Sequence, residues 1–186
     1  HNGTLHDADG RTLIDASSND YLGLSQHPLV KARAAEWAER HGAGAPASRL
    51  VTGTRDITLA VEQRLANFKR CEAALLFSTG FQANATAIPA LAKLMRSGIH
   101  ADGAGDGSLC VPGIPLRGQV IFSDELNHAS IIHGVRGAKS RTGIFRHNDL
   151  DHLDDLLKQH SGRKLIVTES VFSMDGDRAD LPALMQ

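Results

Sequence analysis

From Gln119 onward the apolar residues come in short unbroken runs, separated by stretches in which they recur with a helical period. "QVIFSD" (Gln119 to Asp124), "TGIFRHND" (Thr142 to Asp149) and "KLIVTESV" (Lys164 to Val171) read as strands, with helices over Ala129 to Lys139 and "LDHLDDLLKQH" between them. Earlier in the chain, "AALLFS" (Ala73 to Ser78) has the pattern of a short buried strand, and the helix-prone "TGFQANATAIPALAKLM" follows it. Thr58 to Arg70 places Leu59, Val61, Leu65 and Phe68 on an amphipathic helix, and Pro28 opens another that runs to about His41. "LHDADGRTLID" (Leu5 to Asp15) predicts a hairpin around its Asp-Ala-Asp-Gly turn, whereas His41 to Thr54 is too rich in Gly, Ala and Ser for regular structure. Strands that are continuous apolar runs, alternating with helices, predict an α/β fold: a mostly parallel sheet flanked by helices on both faces.

The same pattern divides the chain into an N-terminal segment with hairpin and helix (residues 1–40) and the first part of a larger domain (residues 41–186). Arg96 to Gly118 breaks the rhythm. It is Gly/Pro-rich, without periodicity, and longer than an ordinary connection, so a flexible insertion is expected there. The closing "DLPALMQ" reads as the first turns of a helix that should continue, and the chain opens without Met. Both features lead to the expectation that the 186 residues are part of a longer protein.

Composition narrows the partners. An apolar fraction of 41% and a charged fraction of 22% are those of an ordinary globular protein. Twenty basic and twenty-one acidic residues leave a net charge of -1, which favours neither nucleic acid nor an anionic membrane. No apolar run approaches the roughly twenty residues a spanning helix needs. Cys71 and Cys110 show no metal-ligand or paired spacing and read as reduced thiols, which points to the cytoplasm.

Three strand ends carry polar groups suited to a ligand. Ser78, Thr79 and Gly80 stand between a strand and a helix, where free N–H groups and the positive helix end suit a phosphate, or the Thr-Gly pair simply caps the helix. His128 lies where "IFSDELNHASIIHGVR" passes from strand to helix. It could act as a base, stack on a flat heteroaromatic ring or cap the helix; no second His or Cys at ligand spacing supports a metal, since His147 and His152 fall on other elements. Glu169 and Ser173 in "TESVFSMDGD" follow a third strand, as ligand groups or as parts of a tight polar turn. In open α/β sheets such ends face one crevice.

"SSNDYLGLSQHP", "SRLVTGT", "LLFSTGFQANATAI", "FSDELNHASIIHGVR", "FRHNDLDHL" and "TESVFSMDGD" occur in this order in the α-oxoamine synthases. The chain resembles this family of pyridoxal 5'-phosphate (PLP) enzymes of the aspartate aminotransferase fold type over nearly its whole length, the Arg96 to Gly118 loop excepted. The resemblance implies part of the fold type I large domain and a homodimer. It implies decarboxylative condensation of an amino acid with an acyl-CoA or acyl-carrier-protein thioester. "NDYLGL" and "TESVFSMDGD" are most similar to the biotin-pathway branch, which joins L-alanine to a pimeloyl thioester; glycine, serine and aminolevulinate branches, or a non-catalytic subunit, are the alternatives.

Carried over by motif, His128 would stack on the cofactor's pyridine ring, and Thr79, Gly80 and Phe81 would help hold its phosphate. Ser173 would lie close to the ring's 3-hydroxyl, Glu169 near its polar edge and Asn19 near the amino-acid carboxylate. The family's cofactor-bearing lysine follows a Ser/Thr-x-x-Lys motif, and the ring nitrogen's partner is the Asp of Asp-Glu-Ala-His. Neither motif is in this chain, and the family order places both beyond Gln186, which implies that the 186 residues are inactive on their own. "GAGAPASR" also departs from the family's Gly-Ser-Gly-Gly-Ser-Arg run.

Overall fold

The computed structural model describes residues 3–97 and 119–186, with the side chains of Arg96 and Ser97 left aside. The expected insertion, apart from its first two residues, and Cys110 lie outside the described residues. The chain forms two compact units that meet in sequence at Leu76 and Phe77.

In the first unit, β1 (Thr4–His6) pairs antiparallel with β2 (Thr12–Ile14), as the hairpin pattern predicts. The turn closes because Asp7 Oδ1 accepts the N–H groups of Asp9 and Arg11 at 3.0 and 2.8 Å, an Asx-type arrangement. α1 (Pro28–His41) starts on its proline and stops at Gly42, whose φ of 78° suits the left-handed region. The irregular stretch after it folds back closely on itself: a Cβ at Gly53 would sit 1.9 Å from the carbonyl oxygen of Ala47. α2 (Asp56–Lys69) brings Glu62 against this loop. Arg49 binds it through both guanidinium nitrogens at 2.6 and 2.9 Å, and the Leu76 N–H donates to the same carboxylate at 2.6 Å. The Arg49 hydrogen bonds, then the Leu76 N–H, hold the Glu62 carboxyl down to about 2 against the opposing effect of burial.

The "AALLFS" strand does not form. Residues 73–77 carry no regular structure and Leu75 is 64% exposed. A strand is stabilised by pairing with a neighbour, and none of the described strands pairs with this run.

The second unit has the expected alternation: α3 (Gly80–Ser97), β3 (Val120–Asp124), α4 (Ala129–Gly137), β4 (Arg141–Phe145), α5 (Leu150–Lys158), β5 (Lys164–Val167) and a short α6 (Leu181–Leu184). The sheet is parallel, in the order β4-β3-β5. All of β3 is buried because it is the central strand. Side-chain alternation sorts the core into two layers. Ile121, Leu165 and Val167 pack with Ile88 and Ala92 of α3 and Ile131 and Val135 of α4. Val120, Phe122, Phe145 and Ile166 face the other way, against Leu153 of α5 and Leu184 of α6. Helices thus cover both faces of a parallel sheet.

The strands end sooner than the apolar runs suggest. β4 stops at Phe145 because Asn148 takes a left-handed φ of 53° and Asp149 caps α5, accepting the His152 N–H at 2.8 Å. Strand order decides where a ligand could lie. The chain steps from β3 to β4 on one side, then crosses back to β5 on the other, so the direction of winding reverses between β3 and β5. At such a reversal an open α/β sheet leaves a crevice at its carboxyl edge.

Candidate functional site

The crevice at the ends of β3 and β5 is built from a rigid post. Asn127, 3% exposed, donates from Nδ2 to Ser123 Oγ at 2.9 Å and to the Val167 carbonyl at 2.7 Å, tying the exits of the two strands together. His128 comes directly after it. Its backbone N–H donates to Glu169 Oε1, which reaches across from the segment after β5. Its Nδ1 accepts the Ser130 N–H at 3.1 Å and so caps α4. His128 therefore is a capping residue, one of the roles left open by the sequence. The ring itself remains exposed at the carboxyl edge of the sheet.

The start of α3 belongs to the same region, because α3 packs against α4 on one face of the sheet. Thr79 Oγ accepts the Gln82 N–H at 3.1 Å, and its carbonyl accepts that of Ala83 at 3.1 Å. Gly80 and Phe81 begin the helix, so their N–H groups have no carbonyl a turn earlier to bond. The space above them is open: a Cβ built at Gly80 would meet nothing within 4 Å. The Phe81 ring leans on His133 of α4, with centroids 5.6 Å apart. Helix N–H groups, the positive helix end and the Thr79 hydroxyl form a donor set that fits a phosphate dianion. With the flat His128 ring at the neighbouring helix start, the residues present fit a phosphorylated heteroaromatic group.

The other expected residues are less closely tied. Ser173 is exposed in a turn closed by Gly176 N–H to Phe172 O at 2.8 Å and Phe172 N–H to Asp177 O at 3.0 Å. It lies four residues beyond Glu169 and forms none of the contacts that join Glu169 to His128. Asn19 is exposed in the loop between β2 and α1, within the first unit.

Polar residues that the motifs did not single out hold the site together. Asn84 of α3 donates from Nδ2 to Ser130 Oγ at 3.0 Å. His147 stands between two carboxylates, with Nδ1 2.9 Å from Asp124 and Nε2 2.8 Å from Asp177. The edge of its ring contacts Phe172 at a centroid distance of 4.3 Å. Burial works against the charged ring, but the hydrogen bonds to Asp124 and then Asp177 outweigh it, so the His147 pKa is raised. The cluster ties the end of β3 to the turn that carries Ser173. Among the described residues no group of His, Cys, Asp and Glu could hold a metal ion, and no helix is long and apolar enough to cross a membrane.

The chain is similar to proteins of known kind. It is 52% identical over 179 residues to the 8-amino-7-oxononanoate synthase of Gluconacetobacter diazotrophicus, covering 95% of this chain and 41% of that protein. Among solved structures, the serine palmitoyltransferase of Sphingomonas wittichii superposes with a TM-score of 0.78 at 31% identity, over 96% of this chain and 39% of its own. The serine palmitoyltransferase of S. paucimobilis, solved with a PLP–myriocin aldimine bound, gives a TM-score of 0.75 at 32% identity, over 93% of this chain and 39% of its own. The chain thus spans about two-fifths of the length of the relatives it matches. Both kinds of relative are α-oxoamine synthases, in agreement with the motifs, and the fold is part of the type I aminotransferase fold. The aminotransferase class I and II model matches residues 11–186, so the chain belongs to the aminotransferase class I and II family.

Proposed function

We propose that this chain is part of a PLP-dependent acyltransferase that condenses L-alanine with a pimeloyl thioester, of CoA or acyl carrier protein, in biotin biosynthesis. The observation that carries the reading is the exposed His128 ring, held at the switch point between β3 and β5 beside the open start of α3. The 52% identity to an 8-amino-7-oxononanoate synthase supports the choice of reaction.

The chain's residues divide the work. His128 would lie flat against the cofactor's ring. The Gly80 and Phe81 N–H groups and the Thr79 hydroxyl would hold its phosphate, with Gly80 allowing close approach. Ser173 would donate to the ring's 3-hydroxyl, and Asn19 would bind the amino-acid carboxylate. Glu169 would act through the main chain, fixing where His128 stands. When bound, PLP supplies an electron sink for the carbanion formed at the amino acid's Cα. The cofactor-bearing lysine and the carboxylate facing the ring nitrogen match no motif in this chain and would come from elsewhere in the protein. The working unit in this reading is a cytoplasmic homodimer.

One observation favours a sister reaction: the solved structures from S. wittichii and S. paucimobilis are both serine palmitoyltransferases. The test separates the two. The complete reading frame that encodes this chain is expressed, loaded with PLP and titrated with L-alanine, glycine and L-serine while the visible band is followed. A shift selective for alanine, with product formed from a pimeloyl thioester, is the expected result. A selective response to serine or glycine moves the protein to a sister activity. Absence of any bound-cofactor band overturns the enzymatic reading and leaves a non-catalytic subunit.

A further inference from the structure

The first turn of α4 contains a directional chain of hydrogen bonds that the assigned roles do not require. Because the Ser130 N–H donates to His128 Nδ1 at 3.1 Å, that nitrogen presents its lone pair. Ser130 Oγ stands 2.7 Å from the same nitrogen and accepts from Asn84 Nδ2 at 3.0 Å. An amide nitrogen only donates, so the serine hydrogen is free to point at the imidazole. Each link runs the same way, from the Asn84 amide to the Ser130 hydroxyl to His128 Nδ1. The ring proton is left on Nε2, the nitrogen turned away from the helix.

Packing sets the length of this chain. Ser130 is 1% exposed, so water does not compete for its hydroxyl. α3 and α4 approach closely at Gly134, where a Cβ would lie 2.6 Å from the Asn84 carbonyl oxygen and 3.1 Å from Ile88 Cδ1. The close contact of the two helix backbones therefore sets the short span over which the Asn84 side-chain amide reaches the hydroxyl.

We propose that Asn84 and Ser130 are positioning residues that hold His128 as the Nε2–H tautomer with its ring oriented for the site. The proposal rests on the reading of His128 as the residue that stacks on the cofactor, but the tautomer is measurable without cofactor. The decisive variant is Asn84→Asp. A carboxylate of the same shape accepts where the amide donated, so the serine hydrogen turns toward residue 84 and its oxygen lone pair faces Nδ1. The relay then favours a proton on Nδ1.

The experiment uses the complete protein with 15N-labelled histidine, and compares the ring-nitrogen signals of His128 in wild type, Asn84→Asp and Ser130→Ala. In the wild type, Nδ1 gives the signal of a nitrogen without a proton and Nε2 that of a protonated one. Asn84→Asp, working against the backbone cap, shifts the pair part of the way toward the opposite tautomer, and Ser130→Ala, which keeps the cap and loses only the hydroxyl, gives a smaller shift in the same direction. With cofactor and substrates, both variants lose about tenfold in kcat with little change in KM, as expected for misplacement of a group in contact with the reacting system. A protonated Nδ1 in the wild type, or unchanged signals in whichever variant folds, overturns the proposal. If the relay behaves as stated but no cofactor binds, the proposed function fails and the tautomer assignment stands.

Discussion

His147→Ala is the most informative change for the scaffold of the site. The imidazole donates to Asp124 at 2.9 Å and to Asp177 at 2.8 Å, and both ring nitrogens can donate only in the charged form. The Asp124 side chain is 1% exposed. Without His147 it would keep only the N–H groups of Leu126 at 2.9 Å and Asn148 at 3.1 Å. Breaking a buried pair by removing one partner costs about 3–5 kcal/mol; the bond to buried Asp124 accounts for most of this, because Asp177 is 43% exposed and screened by solvent.

The sign with pH comes from the raised pKa. The charged ring's contribution is fully present below its ordinary value of 6.5 and is lost as pH rises through the raised folded value. Urea unfolding of wild type and variant, monitored from acid to alkaline pH, should show a gap that narrows above this range. A loss below about 1 kcal/mol, outside the range expected for a broken buried pair, would refute the reasoning. So would a gap that widens as pH rises.

Glu62 has the opposite pH sign. With its carboxyl held down to about 2 from 4.5, its contribution is present above 4.5 and is lost as pH falls through about 2. The protection of the Leu76 amide relative to its unfolded-chain exchange rate should therefore hold in mild acid and fall only as pH approaches that lower value; protection already lost near the ordinary value would contradict the geometry. Asp149→Ala removes the cap of α5 and the partner of Arg146, and should lower the urea midpoint. Full retention of the midpoint would show that the cap contributes nothing.

The α/β alternation of the second unit is legible in the sequence because its strands are buried on both faces. Val120 to Asp124 is apolar or small enough to sit between two helical layers, and its neighbours repeat the pattern. "AALLFS" carries the same local signal and stays irregular, since a buried strand depends on partners that a local pattern cannot specify. The site is partly legible for a similar reason. His128 and Glu169 sit at strand ends, which the pattern locates, and their meeting depends on strand order. Asn84 and Ser130 are 46 residues apart, and His147 and Asp177 are 30 apart. Those pairings depend on helix contact and turn geometry. The sequence hints at them only through Gly134, a residue without a side chain at the point where two helices must touch.

The bond from Glu169 reaches the main chain of His128 and does not involve its ring. An amide N–H is common to every residue type except proline, so the location of position 128 does not depend on what occupies it. The anchor and the chemistry are separable parts. An asparagine at this position would keep the anchor and could still cap α4, while removing the flat ring from the crevice. The side chain at this edge of the sheet can thus change without rebuilding the ledge on which it stands.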